Sequence, residues 1–213
     1  MQNQPLYNPL EPWSWETYRQ LEKESDLRYE YYDGEIVCLA GASNRHSDLC
    51  TNLTLQIAPA ARRKGCKARF QETKVFRPDG EKYFYPDGVV TCQPLDLQAQ
   101  NGVRNPVIIV EVLSESTRSK DLGLKLREYL SLSSLRHYLI VEQTECAIYH
   151  YRRNAEGRWE VVFYESPEQT IDLPELETRI SVAAIYEGIT FGPEVNLAEE
   201  EMAEYETKEV DVN

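Results

Sequence analysis

Two carboxylates stand where a chain of this composition should not leave them unaccompanied. Asp87 lies in Phe84-Tyr-Pro-Asp-Gly-Val-Val, and Glu111 lies in Pro106-Val-Ile-Ile-Val-Glu-Val-Leu. Each sits in or beside an apolar run that reads as a buried strand. An ionised carboxylate in such a place is costly unless something compensates its charge. A divalent cation held between adjacent strands would do so, and hard oxygen donors suit Mg²⁺, with Mn²⁺ as the alternative. The chemistry implied is metal-assisted attack on a phosphodiester. Lys125, in Asp121-Leu-Gly-Leu-Lys-Leu-Arg-Glu-Tyr, adds a cation at the border of a helical core face made by Leu122, Leu126, Tyr129 and Leu130. Blander readings fit the same residues: a turn-stabilising Asp87, a buried Glu111 paired with a lysine or arginine, and a Lys125 whose stem covers apolar surface.

The elements that must position these groups follow from pattern and punctuation. A short helix is expected over Trp15–Lys23, with Ser14 as its N-cap. Arg28–Tyr32 and Glu35–Ala40 flank Asp33-Gly34 and read as a β-hairpin. Leu49, Leu53, Ile57 and Ala60 recur at helical spacing, which predicts a helix over Asn44–Arg63 that stops at Gly65. Ala68–Gln71, Lys74–Phe76 and Tyr85–Cys92 are predicted strands, with a turn over Arg77–Glu81. Pro94–Asn105 reads as a loop, and Val107–Leu113 as a central strand interrupted by Glu111. A helix over Ser119–Leu132, strands at Arg136–Val141, Cys146–Tyr151 and Trp159–Tyr164, and a short helix over Val182–Tyr186 complete the pattern. This order implies an α/β (α+β) domain: a central mixed sheet flanked by helices.

The 213 residues suffice for one domain with a real core, and 41% are hydrophobic. The expected division is an N-terminal extension with a short helix (1–27), one domain (28–192) and an acidic tail (193–213). That tail holds seven Glu, one Asp and one Lys, leaving −6 of the net −13 for the rest of the chain. Within the remainder Arg62, Arg63, Lys64, Lys67 and Arg69 form a basic cluster, read either as a solvated helix end or as a grip on a nucleic-acid backbone. The five cysteines are scattered without a C-x-x-C pair, so neither a disulfide framework nor a zinc cluster is expected. No apolar run is long enough to span a bilayer and the first residues lack signal-peptide blocks. The expectation is a reduced, cytoplasmic protein with no membrane partner.

Tyr-Pro-Asp-Gly-Val-Val, then Val-Glu-Val-Leu-Ser-Glu-Ser-Thr-Arg, then Asp121-Leu-Gly-Leu-Lys-Leu-Arg-Glu-Tyr, then His137-Tyr-Leu-Ile-Val resemble the Uma2-type endonuclease family of bacteria. That family belongs to the PD-(D/E)xK nuclease superfamily with the restriction-endonuclease-like fold. The resemblance runs from about Arg28 to Phe191 and implies a DNA substrate. It makes Asp87 and Glu111 metal ligands, with the backbone carbonyl of Val112 as a third oxygen. Leu113 stands where the motif lysine should be, and lineages with a migrated lysine imply that Lys125 takes that role. Glu30 matches a recurrent glutamate that adds a ligand or holds a metal-bound water. His46 is a weaker candidate for contact with phosphate or support of the site, and Ser114, Ser116 and Thr117 are expected to shape a turn. Two cuts in a duplex are compatible with a homodimer. The rival reading is a catalytically degenerate module on the same fold that binds nucleic acid or a protein partner; a metal-dependent phosphodiesterase acting on RNA or nucleotides is a further one.

Overall fold

Helix α2 (Asn44–Arg63) shows how the sequence builds the frame of the computed structural model, which describes residues 12–39, 41–77 and 82–192. Ser43 caps it by accepting the His46 N–H, and Arg62 and Arg63 fall in its last turn, where cations oppose the helix dipole. Leu49, Leu53, Ile57, Ala60 and Ala61 are buried on one side. They pack on Val90, Ile108, Val110, Val112, Leu139 and Val141 from one face of a six-stranded sheet.

That sheet has the order β10-β9-β8-β7-β6-β3, made of β3 (Lys67–Phe70), β6 (Gly88–Thr91), β7 (Pro106–Val112), β8 (His137–Val141), β9 (Ile148–Arg153) and β10 (Trp159–Tyr164). β7 and β8 pair parallel and the other neighbours antiparallel, so the sheet is mixed, as expected. The alternation of side chains along β7 decides the fate of its residues. Ile108, Val110 and Val112 face α2, whereas Ile109 and Leu113 join Val89, Tyr129, Leu132, Tyr138 and Ile140 on the other face. Glu111 lies between Ile109 and Leu113 in that second set, toward the helical segment that follows β7. This segment runs through α4 (Arg118–Lys120), a π-helical turn (Asp121–Lys125) and α5 (Leu126–Leu130).

A second sheet has the order β2-β1-β5-β4, from β1 (Tyr29–Tyr32), β2 (Glu35–Cys38), β4 (Val75–Phe76) and β5 (Tyr83–Phe84). Helix α1 (Trp15–Glu24) is capped by Ser14 as expected and lays Trp15 and Tyr18 against Tyr31 and Tyr83 of this sheet. Of the predicted strand Tyr85–Cys92 only Gly88–Thr91 is strand, and Tyr83–Phe84 ahead of it belongs to the other sheet. Pro86 lacks the N–H a ladder needs, and Tyr85-Pro86-Asp87 carries the chain from β5 to β6. Five elements went unpredicted: β5, the five-residue helix α3 (Pro94–Gln98) inside the expected loop, and the hairpin of β11 (Thr170–Leu173) and β12 (Thr178–Ser181) with the 3₁₀ turn Pro174–Leu176 between its strands. Helix α6 (Val182–Ile185) ends one residue before its expected limit. The acidic tail, and residues 78–81 of the expected turn, lie outside the described residues.

The cysteine expectation is corrected here. Cys66 and Cys92 are bonded, 26 residues apart in sequence. The cause is register: Lys67 pairs with Thr91 in the antiparallel β3–β6 ladder, so one step outward brings Cys66 opposite Cys92. Closing a loop of this length restricts the unfolded chain by about 3 kcal/mol. Guanidinium unfolding with and without reductant is expected to differ by that amount, and a Cys66→Ser, Cys92→Ser double variant should unfold alike in both conditions.

β8 and β9 bury a histidine pair. His137 Nδ1 lies 2.8 Å from His150 Nε2, and His137 Nε2 meets the Glu175 carboxylate. His150 is fully buried, and burial, then the neighbouring His137 and Arg152, push its imidazole down to about 3. An unfolded histidine titrates near ~6.5. Between those values the unfolded chain binds a proton that the folded chain refuses, so stability falls as pH drops from about 6.5 toward 3. Denaturant midpoints measured from pH 7 to 5 should record a loss of roughly 1–2 kcal/mol from this group. A His150→Gln variant should show a correspondingly shallower slope.

Candidate active site

The sequence-predicted carboxylates meet because of strand register. β6 and β7 are antiparallel with Gly88 opposite Val110, so Asp87, one residue before the ladder, comes opposite Glu111. Directly opposed side chains on antiparallel strands lie on one face, about 5 Å apart at Cβ. Asp87 Oδ2 accepts the Val112 N–H at 2.6 Å, and the Asp87 carbonyl accepts the Gln71 N–H at 2.7 Å. Both ends of Asp87 are thus tied to neighbouring strands.

Glu111 is buried at 3% exposure. Its Oε1 accepts from Lys125 Nζ at 3.0 Å and from the Tyr129 hydroxyl at 3.1 Å. Lys125, also 3% exposed, lies 3.0 Å from Glu30 Oε1 and 3.2 Å from Asp121 Oδ1 as well. Glu30 is not on the solvent face of its hairpin: it is buried, and its Oε1 also accepts the Tyr85 N–H at 3.0 Å. Lys120 stands 3.7 Å from Glu30 Oε2. The structure therefore brings together Asp87, Glu111, Val112, Lys125 and Glu30. It also adds Asp121, 1% exposed, which sequence reasoning did not place in the site. The signal available for it was the i,i+4 spacing Asp121–Lys125. Lys125 is buried rather than bordering the apolar face. The π-helical turn spans Asp121 to Lys125, and such turns are frequent at functional sites.

Leu113 occupies the position of the motif lysine and is 2% exposed among apolar neighbours. The ammonium beside Glu111 belongs to the helical segment packed over that face. Burial opposes the charge on Lys125, but Glu111, Glu30, Tyr129 and Asp121 outweigh it and hold the ammonium well above its ordinary pKa. Burial raises Glu111 well above the carboxylate range; Lys125 opposes this, while Asp121, Asp87 and Glu30 add to it. Asp121 is raised by burial in the same way. His46, on the far side of Asp87, has its Nε2 3.2 Å from Asp87 Oδ2. Burial lowers its pKa, but Asp87, Asp121 and the Val112 carbonyl outweigh burial and raise it.

The residues fit a divalent cation on charge and donor type. Four carboxylates (Glu30, Asp87, Glu111, Asp121) face two ammonium groups (Lys120, Lys125), a surplus of two negative charges before His46 is counted. A divalent cation neutralises that surplus, and carboxylate and carbonyl oxygens are the donors Mg²⁺ takes. The basic cluster divides between the far end of α2 and β3, whose Arg69 pairs with Val89, two residues from Asp87. His46 is in the first turn of α2 and Arg62 sixteen residues on, about 24 Å along the axis. Lys64 pairs with Glu177, Lys67 donates to the Leu97 carbonyl at 2.7 Å, and Arg69 to that of Asp96 at 3.1 Å.

A family profile described as "Putative restriction endonuclease", Uma2, matches residues 15–184, which is most of the chain. The chain belongs to the Uma2 family. The match begins at α1, upstream of the Arg28 from which the residue-level resemblance was drawn. Similar to this Uma2 chain are two uncharacterised proteins of Synechocystis sp. One is 31% identical over 183 residues, covering 86% of this chain and 96% of its own. The other is 29% identical over 144 residues, covering 67% and 81%. A crystal structure described as a "putative nuclease belonging to DUF820" from Anabaena variabilis superposes with a TM-score of 0.61 at 16% identity, over 78% of this chain and 93% of the other. The Uma2 chain thus has the nuclease fold that its motifs imply. Among the described residues no helix is long and apolar enough to cross a membrane.

Proposed function

We propose that this chain is a metal-dependent endonuclease that hydrolyses DNA phosphodiester bonds, with Mg²⁺ as its cation and Mn²⁺ as a substitute. The observation that carries this reading is the cross-strand opposition of Asp87 and Glu111 beside a buried ammonium 3.0 Å from Glu111. Asp87, Glu111 and the Val112 carbonyl would hold the cation. When bound, that cation polarises the phosphate and lowers the pKa of the attacking water.

The chain's own groups divide the remaining work. Both hydrogen bonds to Glu111 fall on Oε1, so we assign Oε2 to the cation. The Val112 N–H fixes Asp87 Oδ2 and with it the orientation of the carboxylate. Lys125, held as an ammonium by its three carboxylate neighbours, is a donor rather than a base. Its role is to stabilise negative charge that develops on the phosphoryl oxygens. Glu30, fixed by the Tyr85 N–H, holds Lys125 in place and is the candidate acceptor for a cation-bound water.

The rival is a catalytically silent module on the same fold. It is favoured by Leu113 and by the engagement of the Lys125 ammonium with three carboxylates. One assay separates the two. The purified chain is incubated with supercoiled, linear, single-stranded and branched DNA, and with RNA, in Mg²⁺ or Mn²⁺ and in chelator. Cleavage of DNA that needs the metal and disappears in Asp87→Ala and Glu111→Ala is expected. Cleavage that persists unchanged in both variants would overturn the assignment, and its absence in the native chain would favour the silent module.

A further inference from the structure

The groups that surround Lys125 account for one side of Asp87. On its other side a different set of donors converges. His46 and Cys50 stand four residues apart in α2, so both project from one face of the helix. His46 Nε2 lies 3.2 Å from Asp87 Oδ2, and His46 Nδ1 lies 3.6 Å from Cys50 Sγ. One donor atom from each of the three residues falls within 4.8 Å of the other two. The cluster is enclosed: Cys50 is 2% exposed and His46 9%. Cys50 is a free thiol, apart from the Cys66–Cys92 bond.

We propose that His46, Cys50 and Asp87 form a second metal site, for a borderline-soft cation of the zinc class, sharing Asp87 with the magnesium site. The donor chemistry makes the choice of ion. An imidazole nitrogen, a thiolate sulfur and one carboxylate oxygen are what Zn²⁺ takes, whereas Mg²⁺ takes oxygen and sheds its waters reluctantly. Two ligands spaced by three residues on a helix, with the third from elsewhere in the fold, match zinc-site spacing. Metal–donor distances of about 2.0–2.3 Å require donors roughly 3–4 Å apart; the two short contacts use different ring nitrogens of His46, so the side chains must turn to bring one nitrogen, Sγ and a carboxylate oxygen in from the 4.8 Å they now span. Cys50 gives up its proton to solvent as it binds. Three protein donors leave a fourth position for water.

The shared carboxylate gives the site a consequence. A zinc-class ion on Asp87 competes with the hard cation between Asp87 and Glu111, so the two metals exclude one another. The exclusion rests on the proposed function; the soft-metal site itself does not.

Cobalt(II) is the probe, because thiolate ligation gives a near-ultraviolet sulfur-to-cobalt charge-transfer band and oxygen ligation does not. The full chain, with Cys66–Cys92 intact and the three free thiols reduced, is titrated with Co²⁺. One equivalent is expected to develop the band, Zn²⁺ to abolish it, and excess Mg²⁺ to raise the Co²⁺ needed. The band should vanish in Cys50→Ser and persist in Cys38→Ser and Cys146→Ser. In His46→Gln the apparent affinity should fall tenfold or more, which keeps the test informative if Cys50→Ser does not fold by circular dichroism. A native chain without the band, or a band unchanged in Cys50→Ser, would overturn the proposal. DNA cleavage is not read in this experiment, so it can fail while the nuclease reading stands, and the reverse.

Discussion

Lys125→Met is expected to lose both stability and turnover, and the two losses have different remedies. The ammonium lies within 3.2 Å of Glu30, Glu111 and Asp121, all almost fully buried. Removing it strips Glu111 and Asp121 of their counter-charge and leaves Glu30 with Lys120 alone, which costs about 3–5 kcal/mol at neutral pH. The sign of the pH dependence follows. Carboxylates stranded in this way have folded pKa values raised above their unfolded ones, so the folded variant takes up protons that the unfolded chain does not. The deficit should therefore shrink as pH falls from 7 toward 5. Millimolar Mg²⁺ should recover part of it by supplying the missing positive charge. Cleavage should fall by about 10²–10³ under conditions where the variant is folded, because protonation does not restore a donor to the transition state. Urea unfolding at pH 7 and 5, with and without Mg²⁺, checks the first part, and single-turnover cleavage the second. A variant as stable and as active as the native chain would mean that Lys125 only lends its stem to the core.

Asp87→Asn is expected to behave in the opposite way with respect to stability. The side chain is partly exposed and belongs to a site with surplus negative charge. Asparagine keeps an oxygen that can accept the Val112 N–H. Metal-free stability should therefore stay within about 1 kcal/mol of the native value, or rise, while metal-supported cleavage falls by about 10³. Calorimetric titration with Mn²⁺ should show the binding heat lost in the same variant. A residue retained for structure alone would give the reverse: a clear loss of stability with no change in metal binding.

Long periodic elements were legible in the sequence. The spacing of Leu49, Leu53, Ile57 and Ala60 placed α2 with the bounds found, and the apolar run around Glu111 placed the central strand. What escaped was set by partners rather than by local pattern. Tyr85–Cys92 reads as one strand in isolation, yet only Gly88–Thr91 is strand, and the short β5 (Tyr83–Phe84) ahead of Pro86 is defined by its partners in the second sheet. The β11–β12 hairpin is built from four-residue strands whose inward residues are Ile171, Leu173 and Ile180, a pattern too short to stand out. Cys66 and Cys92 meet through a strand register that no spacing encodes.

The site was legible in its acids and incomplete in its charge balance. Asp87 and Glu111 stand out because carboxylates are rare in apolar strands. Asp121 and Lys120 lie on a helical segment where charged residues are common, and only the packing of that segment over β7 shows what they face. The place of Lys125 follows from the same packing. Leu113 points into an apolar face already covered by Tyr129 and Leu132, and the helix that covers it delivers Lys125 to Glu111.

In the proposed reading Asp87 and Glu111 hold a hard divalent cation between adjacent strands. A crystal structure of the chain soaked in Mn²⁺, with anomalous difference density, tests it most directly. One strong peak is expected, coordinated by the Asp87 and Glu111 carboxylates and the Val112 carbonyl, with Lys125 beside it and His46 and Cys50 outside the coordination shell. Crystals that diffract well and show no anomalous peak between those two carboxylates would contradict it.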